Sequence, residues 1–145
     1  MIRLSRKSLL ALEAVLDVAL HARPDPVQAR DITARQGVPQ RYLEQVMQAL
    51  VRAGILRGVR GPRGGYRLAR ERRRISVREI FEVIEDIDGN DLDMLSKSDL
   101  GHDVIAPFHA NMQEALIGAV GNTTIADLCS QADSTGGDDK ADFTI

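Results

Sequence analysis

Cysteine is almost absent from this chain of 145 residues, which contains only Cys129. A single cysteine excludes an internal disulfide framework and any metal site built from several thiolates of one chain. We expect Cys129 to be a small buried hydrophobe, because free cysteine is frequently buried. Oxidation of its thiol, or a bridge between two subunits, is the alternative.

Aromatic residues and long apolar runs are also scarce. Phe, Trp and Tyr make up 3% of the chain, which is too few for the stacking platforms that bind single-stranded nucleic acid. No apolar run reaches the length of a membrane span, and Glu13 and Asp17 interrupt the first apolar segment, so we expect neither a membrane contact nor a signal peptide. These absences favour a cytoplasmic protein.

Residues that carry catalytic or metal chemistry do not stand at useful spacing. The sequence has no paired carboxylates, no nucleophile beside a base and no phosphate-binding loop, so we predict no catalytic residue and no enzyme. His102 and His109 could join Asp99 or Asp103 in a divalent metal site, but histidines in a polar loop are more often ordinary surface residues. We therefore predict neither a metal nor another cofactor.

Charge is distributed unevenly along the chain, although the net charge is only −2. Residues 1–78 contain 17 Lys and Arg against 6 Asp and Glu, whereas residues 79–145 contain 2 against 15, giving +11 and −13. A basic segment attracts a polyanion and releases its condensed counterions. The first half is therefore expected to bind DNA and the second to regulate or dimerise. The arginines of residues 70–74 are expected to contact phosphate, with a merely solvated surface as the alternative.

The basic half has the pattern of a helix-turn-helix. Residues 8–22 carry a wide apolar stripe, residues 29–36 form a shorter helix, and a tight turn at residues 37–39 precedes a third helix over residues 40–53. The third helix can bury one face and leave hydrogen-bonding side chains outside. The stripe of the first helix is Leu9, Leu12, Val15, Leu16, Ala19 and Leu20; the inner face of the third is Leu43, Val46, Met47, Leu50 and Val51.

A β-hairpin is predicted to follow the third helix directly. Gly54 follows the last periodic residue of the third helix, where a left-handed backbone conformation is needed to end the helix. Residues 55–59 and 66–68 suit two strands, and the sequence RGPRGG between them supplies a tip that glycine and proline tolerate. Three helices and a hairpin make a winged helix-turn-helix, so the predicted fold class is mainly α with a small β-hairpin wing.

The acidic half is predicted to be helical. Ser76 and Glu79 form a capping box that starts a helix. Residues 89–103 show no sustained period and indicate a polar loop, and a long helix follows from Val104.

One apolar stripe of this long C-terminal helix needs a partner. Its spacing is near that of a coiled-coil seam but covers too few heptads for a long supercoil, so we predict a helix packed across a homodimer interface. Packing within the chain is the alternative. The predicted interface residues are Val104, Ile105, Phe108, Met112, Leu116 and Val120.

The end of the chain is predicted to contain a short helix over residues 124–128 and then a disordered acidic tail. The chain accordingly divides into a winged helix-turn-helix DNA-binding domain (1–75), a helical dimerisation and regulatory region (76–130) and the tail (131–145).

Four short motifs occur in order along the chain: YLEQ in the third helix, VRGPRGGY in the wing, ISVREI at the start of the next helix and TTIADL near the end. Together they resemble the Rrf2 family, the IscR/NsrR type of bacterial transcription regulator, over nearly the whole chain. The resemblance implies a homodimer that represses or activates transcription on double-stranded DNA, with the long helix crossing between subunits. We expect repression.

The resemblance also implies which side chains read DNA. On the matching positions, Tyr42, Glu44 and Gln45 would enter the major groove and Arg60 the minor groove. Glutamine can pair with adenine, glutamate can accept from cytosine, and a narrow minor groove attracts arginine. We add as candidate DNA-binding residues Gln40, Arg41 and Arg63.

The sequence departs from the family in the loop before the long helix. Many members hold an iron–sulphur cluster there through three cysteines, but residues 89–103 contain none. The position of the additional histidine ligand found in some members falls near Ala106. A cluster of the family type is therefore not expected.

Two functions remain open. The first is a sequence-specific DNA-binding regulator whose signal is a small ligand, a thiol modification or a partner protein. The alternative is a winged-helix interaction module that regulates a partner enzyme through its acidic half. DNA binding should weaken steeply as salt rises, whereas a protein contact should respond less.

Overall fold

A computed structural model of the chain describes residues 6–88 and 97–143, which fold into helices and one antiparallel hairpin. This confirms the mainly α, winged-helix class. The elements are α1 (Arg6–His21), α2 (Ala29–Gln36), α3 (Gln40–Arg52), β1 (Leu56–Val59), β2 (Gly65–Leu68), α4 (Val77–Asp88), α5 (Ala106–Val120) and α6 (Ile125–Phe143).

Helix α1 is the centre of the core. It contacts α2, α3, α4, α6 and β2. Its buried residues are mostly small, which lets these neighbours approach closely; they include Ala11, Ala14, Val15, Val18 and Ala19. The predicted stripe is confirmed at Val15 and Ala19 and is wrong at its leucines. Leu9 is 48% exposed, and Leu12, Leu16 and Leu20 pack only at the edge of the core.

Helices α2 and α3 form the predicted helix-turn-helix. Ile32 is the one residue of α2 that is buried, and Gly37 makes the turn in a left-handed conformation with φ 69°. Five residues of α3 point into the core: Leu43, Val46, Met47, Ala49 and Leu50. Val51, predicted to lie with them, is only partly buried. Gly54 then stops the helix with φ 78°.

The hairpin pairs Leu56 with Leu68 and Val59 with Gly65. Val27, in the loop after α1, adds a bridge to β2 through two backbone hydrogen bonds with Tyr66, of 3.0 and 2.7 Å. Glycine is required at positions 64 and 65 because other backbone segments pack closely against both residues. A Cβ atom on Gly65 would lie 2.4 Å from the Val27 carbonyl oxygen.

Helix α4 begins at the predicted capping box. The Ser76 Oγ accepts from the Glu79 N–H at 3.2 Å, and the Glu79 carboxylate accepts from the Ser76 N–H at 3.0 Å. Reciprocal bonds of this kind satisfy two N–H groups that a helix start leaves open. The apolar edge of α4 then enters the core through Ile80, Phe81 and Ile84.

The predicted polar loop is wrong where the structure describes it. Residues 89–96 lie outside the described residues, but the chain is helical from residue 99, with a π-helical turn at Gly101–Ile105 that continues into α5. Ser98 explains the early start, because its Oγ accepts from the Gly101 N–H at 3.0 Å and its carbonyl oxygen from the His102 N–H at 2.8 Å.

The predicted short last helix and disordered tail are also wrong, since α6 runs as far as Phe143. Thr124 and Asp127 form a second capping box, with bonds of 2.9 and 3.2 Å. Ile125 and Cys129, one helical turn apart, are buried in the same cluster as the residues of α1 and α3. The division of function at residue 75 remains a prediction, and it does not coincide with a gap in this core.

Candidate nucleic-acid interface

The outer face of α3 carries the predicted reading residues. Gln40, Arg41, Glu44 and Gln45 are all exposed, because the apolar spacing of the helix turns the opposite face inward. Gln40 donates from Nε2 to the Glu44 Oε1 at 3.2 Å. This surface presents amide, carboxylate and guanidinium groups together, which is the chemistry that reads base edges.

Tyr42 differs from its neighbours on α3. It is half-buried, and its hydroxyl donates to the Lys7 carbonyl oxygen of α1 at 2.8 Å. The Lys7 Nζ lies 5.8 Å from the centre of the tyrosine ring. The geometry therefore gives Tyr42 a role in holding the start of α3 against α1, which the sequence did not indicate.

Arg60 and Arg63 stand at the tip of the wing and are exposed. Neither guanidinium forms a hydrogen bond or an ion pair with any residue that the structure describes. Gly61, between them, has φ 114°, a left-handed conformation that favours glycine. The tip thus holds two guanidinium groups ready for an external anion.

The wing is fastened to the body of the protein. Arg67 of β2 donates to the carbonyl oxygens of Ala22, at 2.9 Å, and Pro24. With the Val27 bridge, these bonds fix the hairpin relative to the end of α1. An open cleft of about 440 Å³ separates the wing from the end of α3, and Arg60 and Val51 both line it.

The arginines that follow the wing form bonds within the chain that the sequence did not predict. Arg70 pairs with Glu79 at 3.0 Å and donates to the Gly54 carbonyl oxygen at 3.3 Å, so it ties the end of α3 to the start of α4. Arg72 donates to the Ala19 carbonyl oxygen of α1. Arg73 pairs with Glu71 at 2.8 Å on the surface. Some donors of Arg70 and Arg72 therefore serve the fold, and phosphate contact by residues 70–74 stays a prediction.

A buried polar cluster that the sequence did not indicate lies directly before α3. Asp17 of α1 is 1% exposed. Its carboxylate accepts from the Arg35 Nε at 2.9 Å, from the Arg35 Nη2 at 2.6 Å and from the Gln36 Nε2 at 2.9 Å. Burial opposes ionisation, but the hydrogen bonds from Arg35 and Gln36 and the Arg35 charge outweigh it, so the pKa of Asp17 is lowered.

The predicted dimer residues separate into two groups. Val104, Ile105 and Phe108 are 53%, 44% and 57% exposed. Met112, Leu116 and Val120 are half-buried, and Ile117 is the one residue of α5 that is buried. With Leu100, which is 73% exposed, the first group forms what we call the apolar patch: Leu100, Val104, Ile105 and Phe108.

The residues considered for sensing lie apart from one another. Cys129 is 1% exposed, as expected for a buried hydrophobe, and burial raises the pKa of its thiol. The His102 Nδ1 lies 2.8 Å from the Asp103 carboxylate on the surface, whereas His109 lies 3.4 Å from the Gln113 amide. Across residues 6–88 and 97–143, no three potential metal ligands come together.

None of the helices described there is long and apolar enough to cross a membrane.

Comparison with known proteins gives a consistent result. The profile of the family described as "Rrf2: Iron-dependent Transcriptional regulator" matches residues 4–131. A relative from Xenorhabdus nematophila, named HTH-type transcriptional regulator IscR, is 44% identical over 84 residues, which are 58% of this chain and 51% of that protein. The IscR of Vibrio cholerae is 43% identical over 84 residues, 58% of this chain and 49% of its own. The chain thus spans about half the length of these relatives.

Two solved structures share the fold over most of the chain. T. potens IscR superposes with a TM-score of 0.71 at 30% identity, covering 92% of this chain and 90% of that one. CymR (YrzC), described as the global cysteine regulator of B. subtilis, gives a TM-score of 0.68 at 25% identity, covering 90% and 98%.

Proposed function

This chain belongs to the Rrf2 family of transcriptional regulators, and from that premise we propose that it is a sequence-specific DNA-binding repressor that acts as a homodimer without an iron–sulphur cluster. The observation that carries the proposal is the pair of exposed surfaces on α3 and the wing tip. They place amide and carboxylate groups, and guanidinium groups without a partner among the described residues, on elements that pack against the core. Cationic groups of this kind bind phosphate and narrow minor grooves.

Specific roles follow for the individual side chains. Glu44 and Gln45 read base edges in the major groove, with Gln40 and Arg41 beside them at the start of α3. Arg60 enters the minor groove of the DNA, and Arg63 contacts the phosphate backbone beside that groove. Tyr42 contributes by orienting α3, because its hydroxyl already donates to Lys7.

The homodimer is supported by the apolar patch. Monomeric proteins rarely expose contiguous apolar surface of large extent, and four large apolar side chains lie at helical spacing here. A second copy of the same chain is the partner proposed, because a two-fold interface brings the same patch from each subunit into contact. Two copies also provide two recognition helices, which a palindromic site requires.

The donor set does not fit a cluster held by thiolates of one chain. The sequence contains a single cysteine, and that residue, on α6, is buried in the core. Iron–sulphur clusters are held by several cysteine thiolates. We therefore propose that the signal is a small ligand or a partner protein, and that DNA binding does not require iron.

The proposal is tested by selecting binding sites from random duplexes with the purified protein and measuring affinity for the selected site over a range of salt. We expect an enriched palindrome and an affinity that falls steeply with salt, with a slope of about −0.9 per phosphate neutralised. Transcription in vitro from a promoter that contains the site should then fall as protein is added. A failure to enrich any sequence, or binding that hardly changes with salt, would contradict the proposal and favour the protein-interaction alternative.

A further inference from the structure

We propose that Asp17 is a positioning residue for DNA recognition, which orients α3 through its bonds to Arg35 and Gln36 rather than contributing chiefly to stability. The inference rests on the proposed function, because it concerns how a recognition helix is held in register with base edges. The buried carboxylate of Asp17 is part of neither the wing nor the apolar patch.

Helix α2 is attached to the core through little apolar surface. Ile32 is the one buried residue of this eight-residue helix. Ala29 adds only a partly buried contact, and apolar burial of this small extent is not directional, so it defines the rotation of the helix weakly. A directional interaction would define that rotation more closely.

The bonds to Asp17 are directional. Arg35 presents a planar fork whose Nε and Nη2 both donate to the one carboxylate, at 2.9 and 2.6 Å. A bidentate pair of this kind fixes orientation as well as distance. Gln36 adds a third bond at 2.9 Å from the next residue along the helix. The last turn of α2 is thereby held in one orientation on α1.

The position of this clamp connects it to α3. Arg35 and Gln36 immediately precede Gly37, whose N–H donates to the Thr33 carbonyl oxygen at 2.9 Å. Val38 is 1% exposed, so the turn is packed as well as short. A rotation of α2 must therefore move the start of α3, where Gln40 and Arg41 lie.

The energetics favour a role in geometry. Removing a carboxylate from water is expensive, and a buried ion pair often stabilises a protein no more than apolar side chains of similar size would. Asp17 is fully buried, whereas the Arg35 side chain is 37% exposed. A buried charge in such a pair is better explained by the single arrangement that it enforces.

The test compares affinity for the selected duplex with affinity for a scrambled duplex of the same length, in three variants of the full-length protein. Arg35→Lys keeps the charge but cannot form two parallel bonds. Asp17→Leu combined with Arg35→Leu leaves the net charge unchanged and replaces the pair with apolar side chains. Ile125→Val is the matched control, because it shortens a buried core side chain on α6, a helix that contacts α1, and it leaves the exposed face of α3 unchanged.

We expect the first two variants to lose discrimination between the duplexes by about 5–150-fold, the value of one good bidentate base contact. Affinity for the scrambled duplex should not change, because phosphate contacts depend on charge rather than on register. Ile125→Val should lower the thermal midpoint and leave discrimination intact.

Two results would overturn the inference. One is discrimination that stays at the wild-type value in Arg35→Lys, which is expected to fold even if the double variant does not. The other is a loss of discrimination in Ile125→Val that matches its loss of stability. A wild-type protein that does not distinguish the duplexes would contradict the proposed function itself.

Discussion

Helices α3 and α5 divide their side chains in opposite ways. Five apolar residues of α3 are buried, and its outer face is made of glutamine, glutamate and arginine. Helix α5 buries Ile117 alone, and Phe108 and the residues of the turn before it expose large apolar side chains. The first arrangement suits a polar ligand such as DNA, and the second suits an apolar partner such as another copy of the chain. Substitutions at Phe108, Arg60 and Gln45 would test this contrast.

The largest effect is expected at Phe108. Changing Phe108 to Asp places an unpaired charge twice in the proposed interface, and a buried charge without a partner costs about 3–5 kcal/mol. The dimer should dissociate and DNA binding should weaken with it, as measured by sedimentation and by titration with the selected duplex. Phe108 is 57% exposed in the single chain, so the monomer should still fold.

The matched control for Phe108→Asp is Ala110→Asp, which places the same charge on an exposed position of α5 away from the apolar patch. It should leave the dimer intact. Equal dissociation in both variants would show that charge on α5, rather than burial of the patch, is responsible.

At the wing, Arg60→Ala should weaken specific binding by about 1–3 kcal/mol. The loss should be greater for A·T-rich than for G·C-rich flanks, because a narrow minor groove concentrates negative potential. Affinities for two duplexes that differ only in their flanks give the result. The same loss on both would remove the proposed reading of groove shape.

On α3, Gln45→Ala should remove about 1–3 kcal/mol of discrimination at one symmetric pair of base positions and little elsewhere. Repeating the site selection with the variant measures this directly. If the selected sequence does not change, Gln45 is not a reading residue.

The smallest effect concerns acid stability. The carboxyl of Asp17, which faces Arg35 of α2 and His21 of α1, has a lowered pKa in the folded chain. Its stabilisation is therefore present at pH values above the ordinary aspartate pKa of about 3.9 and is lost as the pH falls through the folded value. Asp17→Asn should reduce the slope of unfolding free energy against pH in that acid range. An unchanged slope would mean that the Asp17 carboxyl has the same pKa in the folded and unfolded chains.

Local signals in the sequence predicted much of this structure. Gly54 and the Ser76–Glu79 capping box lie at the helix boundaries that they predicted, because a left-handed stop and a reciprocal cap each depend on a few adjacent residues. Periodicity likewise identified the buried face of α3. These features need no knowledge of the rest of the fold.

The errors come from interactions that periodicity does not record. Asp17 and Arg35 are 18 residues apart, and nothing in the spacing of α1 indicates that its aspartate is buried and paired. Arg70 and Arg72 were predicted to contact phosphate because they follow the wing, and the sequence did not indicate that each also donates to a backbone carbonyl far along the chain. The helix starts at residue 99 because of one capping serine, Ser98. The residues around it show no helical spacing of apolar side chains from which that start could be predicted.

The candidate site was predicted in composition but not in mechanism. The outer residues of α3 and the wing tip are exposed as expected, while Tyr42 is occupied by a bond to α1. Which groups of a bound duplex these side chains would reach depends on the rotation of α3, and that rotation depends on its contacts with α1 and α2. A single sequence does not indicate them.

The central claim is that two copies of this chain, joined through the α5 surface, place two α3 helices on one duplex. The most direct test is the mass of the complex with the selected palindrome, measured by sedimentation equilibrium at moderate salt. We expect two chains per duplex, with half-sites about one helical turn apart, and no complex with a single half-site at the same concentration. One chain per duplex, bound as tightly to a half-site as to the palindrome, would contradict it.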